Sequence, residues 1–173
     1  MSKRSPQSGA AMVEFALVLI PLLLIVFGIT ELGRALYQQN SLVKSVHAGA
    51  RYIARQPDAL IAPQPDAPIV GDPCTQGVTW TQVSSNARNL VVCGRTANCD
   101  GATTTVPGMT TAEVQITTSS ALITAAGETR TACIIQVAAE VPFQSVFGER
   151  LLPIGQWTGL QLRASIEERY IGE

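Results

Sequence analysis

Polar and apolar positions divide the chain into three stretches. Met1-Ser-Lys-Arg-Ser-Pro-Gln-Ser8 is polar and basic, and from Ala10 to Thr30 17 of 21 residues are apolar, with Glu14 the sole ionisable one. At ~1.5 Å rise per residue a helix of that length spans roughly 30 Å, about the hydrocarbon thickness of a bilayer. Past Gly33 the pattern turns amphipathic. Leu36, Val43, Val46, Ala50 and Ile53 recur at steps of seven, three, four and three, leaving Arg34, Gln38, Lys44, Arg51 and Arg55 for other faces. Gln56-Pro57 ends the run, because the residue before proline is biased away from helix. The pattern predicts one helix of about 45 residues, apolar in its first half and domain-bearing in its second. Pro21 removes a backbone donor and opposes the Leu17 carbonyl, which predicts a kink or local melting.

Residues 57–77 hold Pro57, Pro63, Pro65, Pro68, Pro73, Gly71 and Gly77 and read as an irregular connector. Trp80, Val83, Ala87, Leu90 and Val91 then fall at helical steps, with Thr79 as the N-cap and Gly94 as the stop. A Gly/Asn/Thr-rich loop runs from Cys93 to about Pro107. Alternation returns near 112–124 and in a branched-rich run at 129–141, with Gly127-Glu128 as the turn and Pro142 as the end. After Pro153, Leu160, Leu162, Ala164 and Ile166 alternate in a third strand expected to face the helices. The expected fold is α+β: a long N-terminal helix, half transmembrane and half amphipathic, packed on a small antiparallel sheet. The expected segments are a leader at 1–9, a transmembrane helix at 10–32, its amphipathic continuation at 33–56, the connector at 57–77 and an extracytoplasmic domain at 78–173.

Glu14 poses the functional question, since a charged group at the bilayer centre costs ~2.5–3.5 kcal/mol. One answer is its place near the positive pole of the helix, worth ~0.3–1 kcal/mol. The other is cleavage after Gly9. Ala10 would then carry a new α-ammonium, largely protonated at its ordinary pKa of ~7.7–8.0, and Glu14 of one copy could pair with the amine of a neighbour. The short basic leader precedes the apolar run, the reverse of a secretory signal, whose cleavage site follows the apolar core. Gly28-Ile-Thr-Glu31-Leu-Gly-Arg34-Ala is a poor A-x-A-like site, so the apolar segment is expected to stay.

At these residues the chain resembles the TadE-like minor pilins of the tight-adherence, Flp-type pilus system, a branch of the type IV pilins. The resemblance lies in Gly9 with Glu14-Phe15, the Leu-Val-Leu-Ile-Pro-Leu-Leu-Leu run, Phe27-Gly-Ile-Thr-Glu31-Leu-Gly-Arg34-Ala-Leu-Tyr37, Gln38-Gln-Asn40-Ser-Leu and Gly49-Ala-Arg51-Tyr. It covers about the first 55 residues, and beyond them only the general layout agrees. It implies a pilin-like fold, cleavage between Gly9 and Ala10 by a prepilin peptidase, and Glu14 beside Phe15 as the assembly or processing carboxylate. The implied partners are the inner membrane, the peptidase and other pilin and pilus-assembly subunits.

Composition adds limits. The chain has 173 residues, 12 basic and 13 acidic, with no basic block and so no nucleic-acid footprint. Lys3, Arg4 and the initiator amine precede the span, whereas Arg34 and Lys44 follow it, a slight bias toward a cytoplasmic N-terminus and a periplasmic C-terminal part. All four cysteines, Cys74, Cys93, Cys99 and Cys133, follow the span. In an oxidising compartment they read as two disulfides with three possible connectivities; Cys93–Cys99 as a local staple with Cys74–Cys133 is preferred. Zinc is the alternative, but no C-x-x-C occurs and the lone His47 lies elsewhere. Asn98-Cys-Asp-Gly101 lacks the spacing of a calcium loop. Neither a catalytic motif nor a metal, cofactor or small-molecule substrate is indicated, and the chain is not expected to be an enzyme. Three functions are in view: a processed minor pilin or pilus-assembly protein, a membrane-anchored binding or scaffold domain that never polymerises, and a secreted domain with a cleaved signal.

Overall fold

A computed structural model describes residues 7–61, 74–125, 128–145 and 160–172. Lys3, Arg4, Pro63, Pro65, Pro68, Gly71, Pro73, Gly127, Pro153 and Gly159 lie outside these residues. The chain forms two compact units, Met1–Tyr37 and Gln38–Glu173. The class is α+β, with a long N-terminal apolar helix and a small antiparallel sheet.

Helix α1 runs from Gln7 to Ala54. The melting expected at Pro21 is absent, as the helix continues through that residue. One missing N–H leaves the hydrogen bonds on either side of it in place. In the first unit the helix has no core of its own: Phe15, Leu17, Val18 and Ile20 are all more than 60% exposed. Its most apolar 18-residue stretch has a mean hydropathy of 2.7 and none of it is buried, so by length and composition it can cross a membrane.

The second unit has a contiguous core. From α1 it receives Leu42, Val46, Ala50 and Ile53. The stripe is rotated from the expected one, for Leu36 is 57% exposed and Val43 only half-buried, while Gln38, Ser45 and Gly49 join the buried side. Small residues explain the rotation. A Cβ at Gly49 would lie 2.5 Å from Val91 Cγ2, so its absence lets the second helix approach closely. That helix, α2, spans Trp80–Cys93 and buries Trp80, Val83, Ser84, Ala87, Val91 and Val92, with Leu90 at the margin. Gly94 stops it at φ 72°, donating its N–H to the Leu90 carbonyl. Thr79 does not cap by its side chain as expected. Its hydroxyl instead donates to Pro57 O at 3.1 Å, tying the start of α2 to the end of α1.

Two short strands, β1 (Leu60–Ile61) and β2 (Thr75–Gln76), pair antiparallel inside the segment expected to be wholly irregular. The main sheet has the order β3-β4-β5, all antiparallel, with β3 at Val114–Ala125, β4 at Glu128–Pro142 and β5 at Gln161–Arg169. Alternate residues Cys133, Ile135, Val137, Ala139 and Val141 of β4 enter the core with Val114 and Leu162. Leu160, expected on the helix-facing side, precedes β5 and is 43% exposed; its carbonyl accepts the Phe143 N–H at 2.8 Å.

The stretch 94–110 is more than a surface loop. Val106 and Met109 are buried, and the Thr105 hydroxyl donates to Val91 O at 2.7 Å. It leads into a 3-10 turn at Thr111–Glu113 closed by a capping box, in which Thr110 N donates to Glu113 Oε2 at 2.7 Å and Ala112 N to Thr110 Oγ1 at 3.3 Å. The Thr110 hydroxyl also donates to Glu113 Oε2. Two disulfides complete the unit: Cys74–Cys133, 59 residues apart, and Cys93–Cys99, 6 apart.

Candidate functional site

Gly9, Ala10, Glu14, Phe15 and Pro21 all lie on α1. Gly9 and Ala10 are already helical and exposed, two residues past the start of α1 at Gln7. Glu14 is exposed between Val13 and Phe15, which are 61% and 67% exposed. Its helical neighbours three and four residues away are Ala10, Ala11, Leu17 and Val18, so its own helix offers no cation. Among the described residues Glu14 therefore stands as an acidic group on an otherwise apolar face. Ala10 lies one turn before it on the same side.

The four cysteines, all in the second unit, are all bonded, in one of the three connectivities open to them. Cys133 sits in β4 within the core, and its carbonyl accepts from Tyr170 N at 2.8 Å. Cys93 and Cys99 close the exit of α2.

In the second unit, Lys44, His47, Arg51 and Arg55 lie with Ala48, Tyr52 and Gln56 along an open groove of about 610 Å³. His47 Nε2 is 3.5 Å from Glu168 Oε1, both partly exposed. Glu168, near the end of β5, thus has the His47 imidazole beside it. On the sheet, Arg163 Nη2 meets Glu140 Oε1 at 2.6 Å, and Gln136 receives Thr117 Oγ1 at 3.2 Å while donating to Ser165 Oγ at 3.3 Å. The carboxyl of Glu113 is held below the ordinary carboxylate range, first by the Thr110 hydroxyl, with burial opposing and the N–H groups of Thr110 and Glu113 assisting. Asn98 Nδ2 donates to Asp100 Oδ2 at 2.5 Å in the turn that Gly101 completes. Among the described residues no group of three His, Cys, Asp or Glu side chains is placed to hold a metal ion.

The capping box was open to sequence reasoning, since Thr110-Thr-Ala-Glu113 carries the Ser/Thr-x-x-Glu signature. The β1–β2 pair and the tie from Thr79 to Pro57 had no comparable signal, because two-residue strands show no periodicity.

Comparison with known proteins adds one match. The family model for TadE-like proteins matches residues 9–51. It begins at Gly9, contains Glu14 and the whole exposed apolar stretch of α1, and ends at Arg51. No curated protein and no solved structure matches the chain. Over residues 9–51 the chain is similar to TadE-like proteins, the family its own residues resemble.

Proposed function

We propose that this protein is a minor pilin or pilus-assembly protein of a tight-adherence type IV pilus system. It is made as a precursor, inserted with its N-terminus in the cytoplasm and its C-terminal domain in the periplasm, and cut after Gly9 by a prepilin peptidase. The apolar helix then passes from the inner membrane into contact with other pilus subunits. It acts by assembly rather than catalysis.

One observation carries the reading: the TadE-like match falls on the exposed apolar helix and starts at the residue expected to precede the cut. A helix whose large side chains face outward needs lipid or other helices around it, and a carboxylate on it with no partner among the described residues calls for a cation. Cleavage creates that cation at Ala10, where Glu14 of an adjacent subunit can meet it. The two disulfides suit an oxidising compartment.

Mass spectrometry of the mature N-terminus from cells with an active processing enzyme tests this. A start at Ala10 is expected. An intact or Met-trimmed start removes the pilin reading and leaves an anchored, non-polymerising domain, whereas a start beyond residue 28 indicates a secreted domain. Glu14→Ala should abolish filament incorporation while leaving the second unit folded; normal incorporation would show that the carboxylate has no assembly role.

A further inference from the structure

The two edges of the main sheet are guarded differently. β5 carries Arg163, Glu167, Glu168 and Arg169, and its Arg163 carbonyl is occupied by Gln39 Nε2 at 2.8 Å. Charges and coverage of this kind are how natural sheets keep an edge from pairing with another chain. The opposite edge, β3, reads Val-Gln-Ile-Thr-Thr-Ser-Ser-Ala-Leu-Ile-Thr-Ala. It has no charge, proline or glycine in 12 residues. Its register with β4 runs without a bulge from Val114↔Ala139 to Ala125↔Glu128. Among the described residues none of the usual protections is present.

The hydrogen bonds of Val114 show which residues face outward. Its N–H goes to Thr111 O and its carbonyl accepts from Arg88 Nε at 3.4 Å, so neither serves β4. In an antiparallel ladder this orientation repeats every second residue. Ile116, Thr118, Ser120, Leu122 and Thr124 therefore turn both backbone groups away from β4. Among the described residues no backbone hydrogen bond meets them from outside the sheet. Leu122 is also 71% exposed, a large apolar side chain on that unprotected stretch.

We propose that the outer edge of β3 pairs antiparallel with the same edge of a second copy of this chain, with Ser120 opposite Ser120. The register follows from which groups are free. Centring on Ser120 pairs Ile116 with Thr124 and Thr118 with Leu122, so all five outward residues are matched. Centring on Ser119 would set Thr124 against Val114, whose N–H and carbonyl are already engaged. A two-fold interface places each residue against its own strand, so any charge there meets a like charge across or near the axis. An uncharged β3 meets its copy without that repulsion, and its branched and hydroxyl residues suit cross-strand pairs. The pairing does not depend on cleavage at Gly9, so the two proposals can fail separately.

The test uses the full chain in native membranes. Cα atoms in a hydrogen-bonded antiparallel pair lie ~5.5 Å apart, within the ~4.4–6.8 Å that a disulfide spans. Ser120→Cys should give a species of twice the chain mass on non-reducing gels that disappears on reduction. Ser165→Cys, at an exposed position of β5, should give at most a tenth as much. Absence of the Ser120→Cys dimer, an equal dimer from Ser165→Cys, or an adduct of any other mass overturns the proposal. Because a fifth cysteine competes with the native bridges, charge exchange supplies the second measurement. Ser120→Lys alone and Ser120→Glu alone should each reduce co-purification of two differently tagged copies at least tenfold, and the mixed pair should restore it. Unreduced single variants, or no restoration in the mixture, would equally sink it.

Discussion

The first unit and the second reach order by opposite routes. The second encloses its own apolar side chains: Leu42, Ile53, Ile135 and Val137 are fully buried there and two disulfides close it. The first is a lone helix whose Phe15, Leu17 and Ile20 remain exposed. Residues of the same chemistry are thus core in one unit and exposed in the other. The lesson is that hydrophobicity gives the need for burial, while periodicity shows who meets it. An all-round apolar helix needs an environment supplied from outside, whereas a striped one is buried by its own chain.

The contrast can be broken in graded ways, each read as urea unfolding of the full chain in detergent. Replacing Cys74 and Cys133 by serine should cost the second unit the most, about 4 kcal/mol for a closed loop of 59 residues in the chain-entropy account. Helicity of the first unit should not change. Next, Leu42→Ala should cost ~2–5 kcal/mol, the usual range for a buried leucine. Leu17→Ala should leave the same transition within ~0.5 kcal/mol and act only on membrane or subunit association. Equal effects from these two variants would abolish the distinction between the units. Gly49→Val should destabilise by ~1–3 kcal/mol, because the new side chain meets the buried Val91 at the α1–α2 approach.

The smallest effect concerns the turn before β3. Thr110→Ala should cost ~1 kcal/mol, typical of a lost cap. The Glu113 carboxyl is depressed in the folded state, so the unfolded chain binds its proton more readily. Its contribution is complete above the ordinary carboxylate pKa of ~4.3 and is lost as pH falls through the lower folded value. Because solvent still reaches the group the effect is small, and it should vanish in Glu113→Gln, which comparison of unfolding at pH 7 and pH 3 would check.

What could be read from the sequence follows how far each signal extends. The long helix, the α2 helix and the three main strands each carry a pattern that extends over several residues, and the structure has all five. Single-residue inferences fared less well. Thr79 satisfies a carbonyl of another segment instead of its own helix, and Leu36 lies off the buried face because the true stripe centres on Leu42, Val46 and Ile53. The burial of Gln38 and Ser45 was hidden by their polarity. Of the candidate site, the placement of Glu14 on an apolar face was visible at once in the residues around it. The contact of His47 with Glu168 joins positions 121 apart, a separation that no local pattern reports.

The Ala54 carbonyl, at the end of α1, accepts from Ile171 N at 2.9 Å and from Gly172 N at 3.2 Å, while Tyr170 Oη donates to Gln56 O at 2.9 Å. Tension drawn through α1 would therefore reach the backbone just beyond β5 directly, without passing around the chain between them. With Gln39 holding Arg163 further along, strand and helix are laced at both ends and would yield by sliding in shear rather than by unzipping one bond at a time.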